Sequence, residues 1–308
     1  MKYATLILPA CLLLLTLYEP AAAAKKTELP ELDKVQQKYV DKTAPAARKK
    51  FLKLAEQADG ADKELLARWF PEFKDTVGEP GQADPPPARE PSKLREKLAK
   101  LWTGLAEDAQ KAGMPATAGW EAYRAHKLAA TDKDAARILA YVERPKGEDY
   151  VHPRVAKLLN EGKHLWSWGW TNQVPQPLDR DVKPTGDEGD EAHASWGKAR
   201  ELEYTFVKLR SNLPLKEACE IGQRVDALLE TMRARYCLVE GYSEPAWPLN
   251  VWVVATNDEY NQIWNERKEQ PGSPFGEYSY LHRIAQVNAE NCAQGFEKTV
   301  GIAQHESC

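Results

Sequence analysis

The chain lacks an excess of charge of either sign. Its 308 residues include 42 Lys and Arg and 46 Asp and Glu, which gives a formal net charge of −4. A chain this close to neutrality has no electrostatic bias toward nucleic acid. Beyond residue 24 it also lacks an apolar run long enough to cross a bilayer. With 43% hydrophobic residues, this composition is typical of a soluble globular protein.

Several catalytic signatures are missing as well. There is no G-x-S-x-G, so a serine hydrolase of the α/β-hydrolase type has no support. There is neither a C-x-x-C pair nor a Gly-rich loop that could hold a phosphate. The acidic cluster Asp187, Glu188, Asp190 and Glu191 lacks the ligand spacing of an EF-hand. We therefore interpret this cluster as part of a solvated linker.

The first 24 residues have the order of a secretory signal peptide. Lys2 supplies a positive start, residues 6–17 are predominantly apolar, and four alanines at 21–24 precede Lys25. We predict cleavage near Ala24 and export to the periplasm or the extracellular space. A lipoprotein signal is the alternative, because residues 8–11 resemble a lipobox. Against it, Cys11 lies inside the apolar run.

Export would place the remaining cysteines, Cys219, Cys237, Cys292 and Cys308, in an oxidising compartment. Cys219 is predicted to lie in the first half of a helix, and Cys237 just past the end of the same helix. Eighteen residues at 1.5 Å each separate them by about 27 Å, too far for a disulfide. A Cys237–Cys292 bridge and four free thiols both stay open.

Composition divides the rest of the chain into five segments. Residues 25–77 and 93–172 show helical periodicity, whereas 201–308 combines helical and strand patterns. The segment 78–92 contains three consecutive prolines, which neither a helix interior nor a central strand accommodates, so it is predicted to be a linker. The segment 173–200, rich in Pro, Asp and Gly, is predicted to be a second linker. The strongest helical stripe consists of Leu94, Leu98, Leu101, Trp102, Leu105 and Ala109.

Two shorter helices follow this stripe. Thr131 with Asp134 predicts an N-terminal cap for a helix over 135–142. Pro153 predicts the start of another helix, which Gly162 can end.

Three tryptophans alternate at Trp166, Trp168 and Trp170. In a single strand they would share one face. We favour a small β-unit that uses the indoles as its core, because Trp is highly buried on average. The other interpretation is an aromatic platform that contacts a glycan or a peptide.

Residues 201–308 predict a mixed unit. Leu202, Tyr204 and Phe206 alternate with polar residues, as in a half-buried strand. Pro214 opens a long amphipathic helix, and residues 248–255 form an apolar run typical of a central strand. Thr256 and Glu259 predict a capping box for the next helix. A last helix is predicted over 296–308, and residues 275–292 have no assignment.

The chain ends on His305-Glu306-Ser307-Cys308, the first four letters of H-E-x-x-H. In that motif two imidazoles four residues apart on a helix hold one Zn²⁺, and the glutamate acts on a metal-bound water. The flanking residues 299–304, Ser307 and Cys308 are uncharged, as expected for a buried zinc-ligating helix. The second histidine would be residue 309, so we expect a chain that ends at Cys308 to be inactive.

The second half resembles peptidase-MA-like, gluzincin-type domains of secreted bacterial proteins. The resemblance is carried by the strand 208–212, the helix after it, Pro248–Tyr260 and His305-Glu306, while 135–141 and 151–170 resemble a module that precedes such domains. It implies an α+β chain, with a mainly helical N-terminal region and an incomplete α/β zincin-like domain over 201–308. It also implies that His305 is a zinc ligand and Glu306 the general acid/base, with a peptide or protein as substrate.

Zinc binding is therefore expected only where the motif is completed beyond residue 308. The second histidine and a downstream glutamate ligand do not occur within the chain. The alternative is a non-catalytic extracytoplasmic binding or scaffold protein. Its working surface would be the helical region and the tryptophan cluster.

Overall fold

The computed structural model describes residues 32–70, 74–78, 89–166, 168–172, 189–268, 272–279, 281–292 and 296–306. They form two compact units within an α+β chain. Unit 1 contains the described residues up to Tyr141 together with Gly147–Tyr150, and unit 2 contains Val142–Lys146 and the residues from Val151 onward. The predicted module 93–172 is thus divided between the two units. The predicted signal peptide and most of both predicted linkers lie outside the described residues.

Unit 1 is helical, as its periodicity predicts. Its helices are α1 (Lys34–Lys38), a π-helical turn (Tyr39–Thr43), α2 (Ala44–Ala55), α3 (Gly60–Trp69), α4 (Lys74–Val77), α5 (Lys93–Lys111), α6 (Pro115–Leu128) and α7 (Lys133–Ile138). The predicted cap of α7 was wrong by one residue. The Asp132 carboxylate accepts the N–H groups of Asp134 and Ala135, and Thr131 does not cap the helix. Asp also accepts from a helix N-terminus, so sequence spacing did not distinguish the two candidates.

Aromatic rings form the centre of unit 1. The ring centroids of Phe51 and Trp102 are 5.1 Å apart, and those of Phe70 and Trp102 are 5.7 Å apart. All three side chains are essentially fully buried. The apolar stripe of α5 faces this centre, because Leu98, Trp102 and Leu105 lie on its buried side.

Unit 2 begins with short elements. They are β1 (Val142–Glu143), β2 (Tyr150–Val151, whose first residue belongs to unit 1), α8 (Pro153–Asn160), β3 (His164–Trp166) and β4 (Gly169–Thr171). Pro153 and Gly162 bound α8 as predicted, with Gly162 at φ +77°. The three tryptophans belong to a small β-unit, as favoured, but they do not share one strand. β3 and β4 are antiparallel, with Trp166 opposite Gly169, so the chain reverses between the first and third tryptophan.

A five-stranded sheet follows, in the order β5-β6-β7-β9-β8. Its strands are β5 (Arg200–Glu203), β6 (Val207–Ser211), β7 (Leu249–Val254), β8 (Gly276–Ser279) and β9 (Ile284–Asn288). The strands β6, β7 and β9 are parallel, and the two edge strands β5 and β8 are antiparallel to their neighbours. β7 is the central strand, as predicted.

The strand predicted through Leu202, Tyr204 and Phe206 is instead a hairpin. Tyr204 N–H donates to Val207 O at 2.8 Å, and Phe206 N–H donates to the Asp226 carboxylate at 2.5 Å. The three side chains are all buried, as the alternation predicts, but they do not lie on one strand, because β5 ends at Glu203 and β6 begins at Val207. Residues 275–292, which had no assignment, contain β8 and β9. The sheet therefore has five strands where the sequence predicted two.

Helices cover both faces of this sheet. α9 (Leu215–Tyr236) and α11 (Phe296–Glu306) pack on face A, which consists of Leu209, Val251, Val253, Ala285 and Val287. α10 (Asn257–Glu266) packs on face B, which carries the alternate residues Arg210, Trp252, Val254 and Gln286. Two 3-10 turns, Glu191–His193 and Trp196–Lys198, precede β5. Among the described helices, none is both long and apolar enough to cross a membrane.

Candidate functional site

His305 and Glu306 occupy the last turn of α11. Their side chains lie outside the described part of the structure, so their position follows from the helix itself. Val300 and Ala303 are buried in the core on face A. The helix contacts α9, β9 and the edge strand β8. The predicted metal ligand and general acid/base are therefore on a helix that packs against the sheet.

Polar contacts fasten α11 along its length. The Arg224 guanidinium of α9 pairs with Glu297 at 2.7 and 3.1 Å, and its backbone oxygen accepts from Gln304 Nε2 at 3.3 Å. The hydrogen bond with Glu297 raises the pKa of Arg224, so this guanidinium stays charged. Near the start of the helix, Lys298 Nζ lies 4.5 Å from the centre of the Phe275 ring. Since Phe275 directly precedes β8, α11 begins beside the first residue of that strand.

The strand β8 has one free edge among the described residues. It pairs antiparallel with β9 from Gly276 to Ser279, and no other described strand pairs with it. The unpaired N–H and C=O groups of an edge strand can pair with an extended peptide. The edge next to α11 could therefore add a peptide as a sixth strand.

The described residues contain no complete metal site of their own. Within them, no group of three or more His, Cys, Asp and Glu side chains is placed to hold a metal ion. His152 is buried, and both of its ring nitrogens form hydrogen bonds. Nδ1 accepts from the Arg154 N–H at 3.1 Å. Nε2 therefore carries the proton and donates it to the Glu244 carboxylate at 2.7 Å. Burial lowers the pKa of His152, which keeps this imidazole neutral.

The cysteines of the described segments are reduced. Cys219, Cys237 and Cys292 form no disulfide, which decides against the Cys237–Cys292 bridge that the sequence left open. Burial raises the pKa of Cys237 and of Cys292. A raised pKa disfavours the thiolate, which is the form that binds metals and attacks electrophiles. Cys308 lies outside the described residues.

The tryptophan hairpin belongs to the core of unit 2. Trp168 and Trp170 are each 9% exposed, and Trp170 Nε1 donates to Thr205 Oγ1 at 3.2 Å. Trp166 is half-buried and stacks on Trp168 with ring centroids 5.9 Å apart. This burial agrees with the core interpretation of the motif and leaves little indole surface for a ligand.

Sequence reasoning missed a second aromatic group, on face B. Arg210 lies 4.6 Å from the Trp196 ring and 5.6 Å from the Trp252 ring. Arg267 lies 4.4 Å from the Trp252 ring and 6.0 Å from the Trp264 ring. One signal in the sequence could have indicated this group. Arg210 and Trp252 lie in two predicted strands, at positions that alternate with the apolar residues and therefore belong to the opposite face. Their proximity depends on strand register, which the pattern did not specify.

No protein family model, curated protein or solved structure matches this chain. The resemblance to peptidase-MA-like domains therefore stays a prediction that rests on the residues named above.

Proposed function

We propose that unit 2 is a zinc-peptidase-like domain of an exported protein, with His305 as a metal ligand and Glu306 as general acid/base. The supporting observation is the position of α11 beside the antiparallel edge strand β8. A substrate paired with β8 in extended conformation would lie alongside this helix. The roles of His305 and Glu306 in this proposal follow from the match of these two residues to the start of H-E-x-x-H.

The test uses the gene product at its natural length, with zinc content and peptide cleavage measured together. Glu306→Gln should retain the metal and lose turnover, because the amide cannot take a proton from water. His305→Ala should lose both. Glu297→Gln is the matched control: it makes the same carboxyl-to-amide change on the same helix, in a residue paired with Arg224. Undiminished cleavage by Glu306→Gln would refute the proposal.

Export is part of the proposal and has its own measurement. The N-terminal sequence predicts that the mature protein begins near Lys25. Mass spectrometry of protein from the extracytoplasmic fraction should show that terminus. An intact Met1 on protein recovered only from the cytoplasm would contradict it.

The second candidate is a non-catalytic extracytoplasmic binding protein. It is favoured by the guanidinium and indole groups of face B, which form a surface separate from α11. The codon after Cys308 distinguishes the candidates. A histidine there completes H-E-x-x-H and favours the peptidase, whereas a natural stop favours the binding protein.

A further inference from the structure

His152 is the N-cap residue of α8. Its Nδ1 accepts from the Arg154 N–H at 3.1 Å, and so satisfies one of the N–H groups that the start of a helix leaves without an intrahelical acceptor. Its Nε2 donates at 2.7 Å to Glu244, which lies in the segment between α9 and β7. His152 is 6% exposed. One buried ring therefore caps a helix with one nitrogen and holds a separate segment with the other.

Glu244 and Arg154 connect this ring to further elements of unit 2. Glu244 Oε1 also accepts from Trp247 Nε1 at 2.9 Å and from Arg233 Nε of α9 at 3.3 Å. Arg154 Nη2 donates to Glu203 of β5 at 2.6 Å, and its Nη1 donates to Trp247 O at 3.3 Å. The start of α8, the end of α9, the strand β5 and the segment before β7 therefore meet around one imidazole.

A second proton on this ring has to go to Nδ1, because Nε2 already carries one. Nδ1 would then present an N–H to the Arg154 N–H, and two donors cannot share a hydrogen bond. Protonation of His152 therefore removes the cap of α8. The more common cap residues Ser, Thr and Asn accept at any pH, so the use of a histidine makes this helix start depend on pH.

The groups around the imidazole favour its neutral form. Burial is the largest influence and lowers the pKa of His152 below its ordinary value of 6.5, against the hydrogen bond with Glu244. The positive charge of Arg233 also lowers this pKa, whereas the negative charges of Glu244 and of Glu230 in α9 raise it. The Phe206 ring, between β5 and β6, packs against the imidazole with centroids 4.9 Å apart and brings no charge. The capped state is therefore fully favoured above pH 6.5 and is lost as the pH falls below that value.

His193 has the opposite arrangement of ring nitrogens. Its Nδ1 lies 2.7 Å from Lys198 O, and a carbonyl oxygen only accepts, so this Nδ1 carries the proton. Protonation of His193 at Nε2 leaves that hydrogen bond in place. His193 is therefore a suitable control for the titration of a histidine in the same unit.

We propose that His152 is an acid-sensitive latch of unit 2, in which proton uptake by the imidazole ends the cap of α8 and opens the first turn of that helix. Arg154 lies in this turn and contacts both Glu203 and Trp247, so the opening reaches β5 and the segment that leads into β7. The latch does not depend on the peptidase proposal.

The test combines nitrogen NMR of the histidine side chains with hydrogen exchange at the Arg154 amide, both in the full-length protein. Above pH 7, His152 should carry its proton on Nε2. Below pH 6.5, protection of the Arg154 amide, corrected for the intrinsic exchange rate, should fall by up to about tenfold per pH unit, because one proton is taken up. A proton on Nδ1 at neutral pH, or protonation of the ring with unchanged protection of Arg154, would overturn the proposal.

Three variants separate the latch from a general effect of acid. His152→Asn supplies a cap that does not titrate, so protection of the Arg154 amide should no longer change between about pH 5 and pH 7.5. His193→Asn makes the same substitution at the control residue and should keep the parental response. Glu244→Gln should move the response to lower pH, because it removes a charge that favours the imidazolium.

A parental acid response in His152→Asn, or its loss in His193→Asn, would count against the latch. Should His152→Asn not fold, Glu244→Gln decides. A response displaced to lower pH supports the latch, and a response at the parental pH refutes it.

Discussion

Gly222 of α9 lies directly against the ring of Tyr204. A Cβ atom at residue 222 would be 2.2 Å from Tyr204 Cε2 and 2.7 Å from Cζ. The ring is 2% exposed, and its hydroxyl donates to Cys219 O at 3.3 Å. The absence of a side chain at 222 therefore lets α9 approach the turn between β5 and β6 closely enough to bury Tyr204.

Gly222→Ala should lower the free energy of unfolding by about 1–3 kcal/mol, because the added methyl forces the ring or the helix to move. Gly301→Ala in α11 is the control, since no neighbouring atom lies within 4 Å of the place that a Cβ atom would take there. That change should raise stability by up to about 1 kcal/mol through helix propensity. Denaturant unfolding of both variants measures the difference. Equal changes in the free energy of unfolding for the two variants would contradict a close contact between residue 222 and the Tyr204 ring.

Glu121 is a buried carboxyl in unit 1, 3% exposed. Its Oε2 lies 3.5 Å from Arg124 Nη1, and the Arg124 guanidinium lies 4.0 Å from the centre of the Trp102 ring. Burial raises the pKa of Glu121 to about 8, while Arg48 opposes the shift. Burial also lowers the pKa of Arg124 to about 9. The folded protein therefore holds a proton on Glu121 more tightly than the unfolded chain does.

This shift predicts a loss of stability with rising pH. The contribution of protonated Glu121 is fully present below the unfolded pKa of 4.5 and is lost as pH rises to about 8. Glu121→Gln should remove this dependence and should stabilise the protein at pH 8 and above by on the order of 1–3 kcal/mol. Urea unfolding from pH 5 to 9 measures both effects. If the free energy of unfolding of Glu121→Gln depended on pH as steeply as that of the parent, another group would be responsible for the pH dependence.

The tryptophan hairpin predicts a graded stability series. Trp168→Ala and Trp170→Ala should each lower the free energy of unfolding by about 3–5 kcal/mol, because both indoles are buried in the core. Trp166→Ala should cost less, since that side chain is only half-buried. Thermal melts together with polysaccharide titrations test this. Unaltered stability with lost sugar binding would favour the platform interpretation.

The attachment of α11 can be divided into its apolar and ionic parts. Val300→Ala should lower stability by about 2 kcal/mol, because it removes two methyl groups from the core on face A. Arg224→Ala should cost no more than about 1 kcal/mol and less at high salt, because its partners Glu220 and Glu297 are solvent-accessible. Hydrogen exchange in α11 reports both changes. A larger effect of Arg224→Ala would mean that the ion pairs dominate.

Local sequence patterns were sufficient for the long elements. The stripe from Leu94 to Ala109 predicted α5, and the apolar run before Ala255 predicted the central strand β7. The capping residue Thr256 likewise marked the start of α10, where its Oγ1 accepts from Glu259 N–H at 3.3 Å. In each case the signal and the structure involve the same few residues, so periodicity and capping carry the information.

The sequence by itself thus determined the helical unit 1, the central strand and the helix that carries His305 and Glu306. Only tertiary structure decided that β8 and β9 complete the sheet and that Trp170 is buried against Thr205. It alone also brought Trp196, Arg210, Trp252 and Arg267 together on face B. Strands of four or five residues carry too few positions for a periodic signal. Contacts between residues distant along the chain depend on strand register and on which face each helix covers, and these follow from the packing of the whole unit.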